Sequence, residues 1–531
     1  MSFKEKILIT EEINRQAADY LKKDFIVDTR KDIAGTELVK YIRDYSALII
    51  KNATKVDEEV IKNAENLKVI AKAGAGTENI DVRSATRKGI YVVNSVSSNL
   101  VSASELTIAL IMACAKKINI ASKSASSGKS TDRTKLKGME IEGKTLGIVG
   151  LGKIGYLVAK KAFALGMEVY AFDPYVLDDK FWQLGIKRKD NLKELFRVSD
   201  IISVHLPKTK DTTGVIDKKL FDCMKDEAII VSLSKRDIIN EDDLFDSVKE
   251  KKIAAAAIDF SEAEYAKGSK LSELEEVILT PHLSGSTLDA QEKTALEISR
   301  HVRNVLNGEI PGNAINLPLF NQEMIDMSYP FYELCNNLGS IFAQFFEKEL
   351  ESVEIIYNGR VAQLKTEFLT TVILSKILEI KTNERVNIVN ARMICEEKKL
   401  KIKETKDTVT RDFMNLIKIK GSNDNYSMAL SGTVTGIKNV PRFISIDKFE
   451  IDMVPSRYMA FLRYKDIPGQ IGRIGTAFGK LGVNIAAMHV GRKVVSGEAL
   501  MGLNLDCEVT NDMLAEFKEL SGFKDIKIIN L

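Results

Sequence analysis

Short, unbroken apolar runs alternate with amphipathic stretches through the first 98 residues. The amphipathic stretches, around Glu11 to Lys22 and Val56 to Ala64, predict helices. Runs rich in Val, Ile and Leu are typical of parallel strands that are covered on both faces. These runs lie at Lys6 to Thr10, Ala47 to Ile50, Leu67 to Ala71 and Ile90 to Asn94. The pattern therefore indicates a small α/β unit.

A second and larger α/β unit follows a long apolar helix. We expect that helix to begin at Ser102, because Ser102 and Glu105 have the spacing of a capping box. Six strand-like runs interleaved with helices then predict a doubly wound parallel sheet. The runs are Leu146 to Val149, Glu168 to Phe172, Ile201 to His205, Ala228 to Leu233, Ala254 to Asp259 and Val277 to Thr280. The amphipathic stretch from Ser286 to Leu306 is long enough to return to the first unit.

The remaining chain predicts two further units. An irregular α+β region extends to about Asp452, and Arg457 to Leu531 shows the strand and helix order β-α-β-β-α-β of a ferredoxin-like fold. We expect two doubly wound parallel-sheet domains followed by an α+β domain and a ferredoxin-like domain. Their predicted limits are 1–98 together with 284–315, 99–283, 316–452 and 457–531.

Composition limits the partners. The 531 residues are 45% hydrophobic with a net charge of +3, which is typical of a globular protein and does not favour nucleic acid as a partner. No apolar stretch reaches the roughly 20 residues that cross a bilayer. Five dispersed cysteines without a C-x-x-C pair predict neither a metal site nor disulfides, so we expect a cytoplasmic protein.

The sharpest motif is Gly150-Leu151-Gly152-Lys153-Ile154-Gly155, which follows a predicted strand and opens a predicted helix. The glycines permit a tight turn, the approach of a diphosphate and close helix packing. A structural glycine turn is the alternative. Asp173 ends the next strand, where a carboxylate accepts hydrogen bonds from ribose hydroxyls and repels a 2′-phosphate. The motif therefore predicts NAD rather than NADP.

Four histidines are candidates for moving the substrate proton. His282 follows a strand in Thr280-Pro281-His282, at the sheet edge where doubly wound folds bind ligands, and we expect it to be the acid/base group. His205 is interpreted as a packing or cofactor-edge residue, and His301 and His489 as structural. Glu264 would raise the pKa of the imidazole, although a solvated loop glutamate is the alternative.

Together with Gly74-Ala-Gly-Thr-Glu-Asn-Ile-Asp81 and Thr280-Pro-His-Leu-Ser-Gly-Ser-Thr287, these motifs resemble the D-isomer-specific 2-hydroxyacid dehydrogenase family. The resemblance covers essentially the whole chain and is to the long members, which oxidise 3-phosphoglycerate to 3-phosphooxypyruvate in serine biosynthesis. It implies a substrate-binding domain at 1–98 and 284–315 and an NAD-binding domain at 99–283. It further implies His282 as the acid/base, paired with Glu264.

The catalytic arginine of the family is where this chain differs. The family turn N-x-[A/S]-R-G-G is replaced by Ser232-Leu233-Ser234-Lys235-Arg236-Asp237. Ungapped alignment places Lys235 on the arginine and Arg236 one residue away. Lysine supplies a point charge where arginine supplies a planar fork. Whether Lys235 or Arg236 points into the site is left open.

The resemblance also implies the ligand contacts. Lys153 and Ile154 would meet the diphosphate, and Asp259 the nicotinamide carboxamide. Further cofactor contacts would be Ala75, Leu206, Leu233, Ser234, Lys235, His282, Leu283, Ser284 and Gly285. Lys51, Lys72, Gly74 and Lys135 would contact the substrate. Lysines stand where the family usually has arginines at positions 51 and 72.

The C-terminal half resembles the regulatory part of the long family members. Val386 to Glu404 resembles their intervening domain, and Asp466-Ile-Pro-Gly469 with Leu481 to Ile485 resembles an ACT domain, which binds amino acids between paired domains. This implies a homodimer or homotetramer, L-serine as an effector, and Asp466 and Asn484 as its contacts. Two alternatives remain: a dehydrogenase for glyoxylate or hydroxypyruvate, and an NAD-sensing protein that has lost catalysis.

Overall fold

The computed structural model describes residues 4–531 apart from 32, 34, 75, 96–97, 129–132, 261–267, 318–321, 410–411, 493 and 495–496. The first sheet has five parallel strands in the order β2-β1-β3-β4-β5. They are β1 Lys6–Ile9, β2 Ile26–Thr29, β3 Ala47–Ile50, β4 Val69–Lys72 and β5 Tyr91–Asn94. The sequence pattern missed β2, an edge strand whose Ile26 is 42% exposed, because an edge strand needs no continuous apolar run.

Helices cover both faces of this sheet. Those within the N-terminal segment are Arg15–Lys22, Thr36–Tyr41, Glu58–Asn63 and Val82–Arg87. The long helix Leu288–Leu306 returns to the same sheet, where Ile298, Val302 and Val305 share a core with Ile7 and Ile9. The first domain therefore consists of two chain segments, one that precedes the second domain in the sequence and one that follows it.

The second sheet has seven parallel strands in the order β12-β11-β10-β9-β6-β7-β8, which confirms the predicted doubly wound fold. They are β6 Thr145–Val149, β7 Glu168–Phe172, β8 Lys187–Arg188, β9 Ile201–Val204, β10 Ile229–Ser232, β11 Ala255–Phe260 and β12 Val277–Pro281. Its helices are Leu100–Ala115, Ile118–Ser126, Lys153–Ala164, Asp178–Gln183, Leu192–Val198, Lys218–Phe221 and Glu241–Lys249. The strand order reverses between β6 and β9, where such sheets bind ligands.

The predicted capping box at Ser102 is wrong. The helix begins at Leu100 with Asn99 as its N-cap, and Ser102 is a buried residue inside the first turn. The helix contacts the turn Leu283–Gly285 after β12, and Asn99 lies near Gly285 in that turn. Ser104 instead donates a hydrogen bond to the carbonyl of Val101.

The third domain is a six-stranded mixed sheet with helices packed on it. The strand order is β14-β13-β15-β16-β17-β18. The strands are β13 Ser352–Gly359, β14 Lys401–Asp407, β15 Asn415–Asn423, β16 Tyr426–Thr435, β17 Val440–Ile446 and β18 Phe449–Met453. The helices are Gln322–Ser328, Tyr332–Phe345, Glu367–Lys381 and Ala391–Glu397. This confirms the predicted α+β class.

The last domain has the predicted ferredoxin-like order. Its elements are β19 Tyr458–Lys465, a helix Gln470–Lys480, β20 Ile485–Arg492, β21 Glu498–Leu505, a helix Asn511–Ser521 and β22 Ile526–Asn530. The antiparallel sheet has the order β20-β21-β19-β22. Throughout the part of the chain that the structure describes, no helix is long and apolar enough to span a membrane.

Candidate active site

A cleft of about 910 Å³ lies at the carboxyl ends of strands of the second sheet, and Glu78 of the first domain also lines it. Many of the predicted cofactor and catalytic residues line it. The lining residues are Glu78, Leu100, Gly152, Lys153, Ile154, Gly155, His205, Leu206, Pro207, Lys208, Thr209, Lys210, Thr213, Leu233, Ser234, Lys235, Asp259 and His282. Distant parts of the chain thus form one concave site.

The glycine turn at the floor of the cleft fits a dinucleotide. Gly150 has a φ of +90°, and a Cβ at Gly155 would lie 2.3 Å from the carbonyl oxygen of Gly150. Both glycines are therefore required by the protein's own backbone. A Cβ at Gly152, by contrast, would meet no atom within 4 Å. Its open face, at the start of the helix Lys153–Ala164, suits the approach of a diphosphate to backbone N–H groups.

Asp173 is held beside this turn. Its Oδ2 accepts a hydrogen bond from the Leu151 N–H at 2.8 Å, and its Oδ1 accepts one from the Tyr175 N–H at 2.9 Å. The carboxylate is thereby fixed after β7, where a ribose would lie. This geometry supports the predicted preference for NAD.

Replacing Asp173 by asparagine tests that preference. Asparagine keeps an oxygen that can accept from Leu151 but removes the charge that repels a 2′-phosphate. We expect kcat/KM with NAD to fall about tenfold and the NADP to NAD ratio to rise by about tenfold or more. Steady-state kinetics with both cofactors measure this, and an unchanged ratio would show that Asp173 does not select the cofactor.

Hydrogen bonds of the Ser234 side chain connect the ends of β9 and β10 beside the glycine turn. Ser234 Oγ donates to the carbonyl of Val204 at 3.1 Å and accepts from the Leu206 N–H at 3.0 Å. His205 Nε2 lies 2.8 Å from Ser203 Oγ. Burial lowers the pKa of His205 to about 4, so this imidazole is neutral at neutral pH. These contacts support the interpretation of His205 as a packing residue at the cofactor edge.

Lys235, and not Arg236, faces the cleft. The Lys235 Nζ lies 3.4 Å from Glu78 Oε1, a side chain of the first domain. Arg236 turns away: its Nε bonds to Glu241 Oε2 and its Nη1 donates to the Gly268 carbonyl at 2.9 Å. Lys235 therefore lines the cleft, and its role in place of the family arginine stays a prediction.

Glu78 is a cleft residue that the sequence reasoning did not single out, although it lies in the quoted segment Gly74 to Asp81. Its pKa is held below the ordinary value by its own backbone N–H first, and by Lys235 and Lys72 as well. The carboxylate is thus charged and bridges the two domains across the cleft. No local sequence signal marks this contact, because its partner is 157 residues away.

Asp259 organises the turn that carries His282. Its buried carboxylate accepts hydrogen bonds from Thr280 Oγ1 at 2.7 Å, the Leu283 N–H at 2.8 Å and the Ser284 N–H at 3.1 Å. His282 lies between these donors with φ 57° and ψ 55°. A left-handed conformation costs a residue with a side chain about 1–3 kcal/mol, so the surrounding hydrogen bonds hold the histidine in place. Its exposed side chain lines the cleft.

Three predicted substrate contacts, Lys51, Lys72 and Gly74, are not among the residues that line the cleft. Lys51 follows β3 and is half-buried, and Gly74 follows β4 with a φ of +153°. Lys72 is only 2% exposed, and its Nζ donates to the Lys51 carbonyl and to the side-chain oxygens of Asn52 and Asn79. The structure therefore brings Lys51 and Lys72 together but turns the second ammonium towards protein acceptors.

Some of the predicted site residues lie outside the part of the chain that the structure describes. Glu264 and Ala75 are not among the described residues, and neither is the side chain of Lys135. Their roles stay predictions. In the last domain, Arg492 Nη1 donates to Asp466 Oδ2 at 3.1 Å, and Asn484 Nδ2 donates to Asp506 Oδ2 at 2.6 Å. The predicted effector contacts of Asp466 and Asn484 likewise stay predictions.

Similarity to characterised proteins extends over the full chain. The chain is 36% identical over 99% of its length to D-3-phosphoglycerate dehydrogenase of Methanocaldococcus jannaschii, and covers 100% of that relative. The corresponding values for the Archaeoglobus fulgidus enzyme are 36%, 99% and 100%, and for the Bacillus subtilis enzyme 32%, 99% and 99%. The chain belongs to the D-3-phosphoglycerate dehydrogenase family.

Family models match three of the four structural units. Residues 108–284 match the NAD binding domain of the D-isomer specific 2-hydroxyacid dehydrogenases, which confirms the predicted cofactor class. Residues 328–447 match the D-3-phosphoglycerate dehydrogenase intervening domain, and residues 458–522 match the ACT domain. The resemblance inferred from motifs is therefore confirmed.

Solved structures of shorter dehydrogenases match somewhat more than half of this chain. D-lactate dehydrogenase from Escherichia coli is 25% identical with a TM-score of 0.52, covering 58% of this chain and 99% of that chain. D-mandelate dehydrogenase from Rhodotorula graminis is 26% identical with a TM-score of 0.53, covering 59% and 97% respectively. These dehydrogenases thus share their fold with somewhat more than half of this chain.

Proposed function

We propose that this chain is an NAD-dependent dehydrogenase that oxidises 3-phospho-D-glycerate to 3-phosphooxypyruvate, the first step of L-serine biosynthesis. The observation that carries the proposal is the convergence of the glycine turn, Lys235 and His282 on one cleft, in a chain that is similar over its full length to named D-3-phosphoglycerate dehydrogenases. Those names do not favour glyoxylate or hydroxypyruvate as the substrate, or an NAD sensor.

The glycine turn and the residues around it would hold the cofactor. The backbone at Gly152, Lys153 and Ile154 binds the diphosphate, and Asp173 binds the ribose. Leu206, Leu233 and Ser234 border the cofactor on one side, and the turn from His282 to Gly285 borders it on the other. NAD, when bound, accepts the hydride that leaves the substrate.

His282 accepts the proton of the substrate's hydroxyl as the carbonyl forms. Asp259 fixes the turn that presents the imidazole, and Glu264 is proposed to stabilise the imidazolium. Lys235 binds the substrate carboxylate and polarises the developing carbonyl. To do so, its ammonium exchanges the Glu78 carboxylate for that of the substrate. Lys51 and Lys135 are proposed to contact the phosphate.

The C-terminal domains are proposed to regulate this reaction. An ACT domain suggests an amino-acid effector, and we propose L-serine, bound near Asp466 and Asn484 between paired domains of a homodimer or homotetramer. The scattered cysteines, three of them buried, accord with the cytoplasmic location expected from the sequence.

The direct test is NAD reduction by the purified chain with 3-phosphoglycerate while the product is trapped. We expect absorbance at the NADH band to rise with 3-phosphoglycerate and to rise at least tenfold more slowly with D-glycerate, because the phosphate contacts are then lost. Glyoxylate and hydroxypyruvate are assayed in the reverse direction with NADH. Turnover of these acids without turnover of 3-phosphoglycerate would refute the proposed substrate. A second series with L-serine tests the effector.

A further inference from the structure

Three backbone N–H groups of the four-residue loop 51–54 after β3 donate hydrogen bonds to one carboxylate, that of Glu11. Glu11 Oε1 accepts hydrogen bonds from the Lys51 N–H at 2.8 Å and the Thr54 N–H at 3.0 Å, and Oε2 accepts one from the Ala53 N–H at 3.2 Å. Glu11 follows β1, so this side chain ties the ends of two neighbouring strands together. Both of its oxygens act only as acceptors in this arrangement.

The carbonyl groups of Lys51 and Thr54 in the same loop accept hydrogen bonds from two other side chains. Asn79 Nδ2 donates to the carbonyls of Lys51 at 2.8 Å and Thr54 at 2.6 Å. The buried Lys72 ammonium donates to the Lys51 carbonyl, to Asn52 Oδ1 at 2.8 Å and to Asn79 Oδ1 at 2.8 Å. Side chains from three other segments therefore determine the backbone path of a loop that has no regular secondary structure of its own.

Glu11 is a charged carboxylate, because its hydrogen bonds lower its pKa. Burial raises the pKa of Glu11, but the N–H groups of Thr54, Lys51 and Ala53 together bring it below its ordinary value. A carboxylate is therefore retained next to a lysine that is expected to bind an anionic substrate. Coulomb repulsion between the Glu11 carboxylate and an anionic substrate would weaken substrate binding. The contribution of Glu11 must therefore come from the loop conformation that its hydrogen bonds hold.

We infer that Glu11, Asn79 and Lys72 are positioning residues that hold loop 51–54 so that Lys51 presents its ammonium to the anionic substrate. Lys72 acts through this loop and does not touch the substrate, which differs from the role that the family motif implies for it. This inference rests on the proposed function, because it takes 3-phosphoglycerate as the ligand of Lys51.

The test compares Glu11→Gln with the matched control Glu12→Gln. Glu12 is the adjacent carboxylate, 80% exposed and paired only on the surface with Lys31 within the described part of the chain. Both variants remove one negative charge from the same segment. Glutamine at position 11 places an NH₂ group against a backbone N–H, so one or two hydrogen bonds are lost.

The direction of the change in KM shows whether Glu11 acts through the loop conformation or through its charge. We expect Glu11→Gln to raise the KM for 3-phosphoglycerate by about tenfold, with kcat and the KM for NAD within about twofold of the parent. Glu12→Gln should leave all three values within about twofold. A KM that falls or stays constant in Glu11→Gln would overturn the inference, because simple removal of a negative charge favours an anionic substrate.

Hydrogen exchange gives a readout that does not depend on activity. We expect faster amide exchange in the peptide containing residues 51–54 in Glu11→Gln, and parent-like exchange there in Glu12→Gln. Unchanged exchange in Glu11→Gln would also overturn the inference. If the parent chain does not oxidise 3-phosphoglycerate, the proposed function fails, while the exchange data still decide whether Glu11 shapes the loop.

A double-variant comparison tests the role of Lys72. If Lys72 acts through Lys51, adding Lys72→Met to Lys51→Met should change the KM for 3-phosphoglycerate by less than about twofold. A further increase of tenfold or more would mean that Lys72 contacts the substrate directly, and would refute its assignment as a positioning residue.

Discussion

Replacing His282 by asparagine is expected to lower kcat for 3-phosphoglycerate oxidation by about 10²- to 10⁴-fold, which is the usual contribution of a positioned general acid or base. Asparagine tolerates the left-handed backbone that His282 adopts, so the turn held by Asp259 should survive. The side chain cannot accept the substrate proton. Binding of NAD, measured by fluorescence titration, should change by less than about twofold.

His489→Asn is the matched control for this experiment. His489 lies on β20 in the last domain, far along the chain from the cleft residues. We expect its kcat without effector to stay within about twofold of the parent value. A His282→Asn variant with kcat above one tenth of the parent value would rule out His282 as the acid/base group.

Replacing Lys235 by methionine is expected to lower kcat/KM for 3-phosphoglycerate by about 10²-fold. The reason is the loss of the charged partner for the substrate carboxylate, and hydrogen bonds to charged groups contribute about 1.5–3 kcal/mol. Methionine has a similar length and keeps the apolar part of the side chain. The KM for NAD should change by less than about threefold, since the Lys235 ammonium pairs with Glu78 of the first domain.

Arg236→Met provides the contrast, because the neighbouring cation has a structural partner. Glu241 would be left without its ion pair at a site where both side chains are at least three-quarters buried. We expect the thermal unfolding midpoint to fall by several degrees, with kcat/KM within about fivefold of the parent. The opposite outcome, with activity lost in Arg236→Met and retained in Lys235→Met, would reverse the assignment of the two cations.

Local sequence patterns were sufficient for most of the fold. Period and apolar continuity identified four of the five strands in the first sheet and every element of the last domain, because burial on one or both faces of a strand leaves a pattern over adjacent residues. In the two parallel sheets the pattern missed β2 and the two-residue β8, which lie at sheet edges where burial is incomplete. For the third domain it predicted the α+β class but did not locate most of the six strands. The start of the helix at Leu100 was misjudged, because a local capping signal carries no information on the contact between this helix and the turn after β12.

The cofactor turn and the candidate acid/base group could also be identified from the chain alone. The chemistry of Gly150 to Gly155 depends on spacing between neighbours, and His282 is marked by its position at the end of a strand. Both are properties of contiguous residues, so no tertiary contact is needed to recognise them.

Contacts between distant segments settled which side chains face the cleft. Lys235 and Arg236 are adjacent and chemically alike in sequence, but Glu241 and the Gly268 carbonyl draw the arginine away from the cleft. Lys72 carries the same charge as Lys51, yet Asn52 and Asn79 hold its ammonium. The direction of a long side chain depends on partners that only folding brings near. For this reason the motif could name the positions, while the packed structure decided which of these side chains line the cleft.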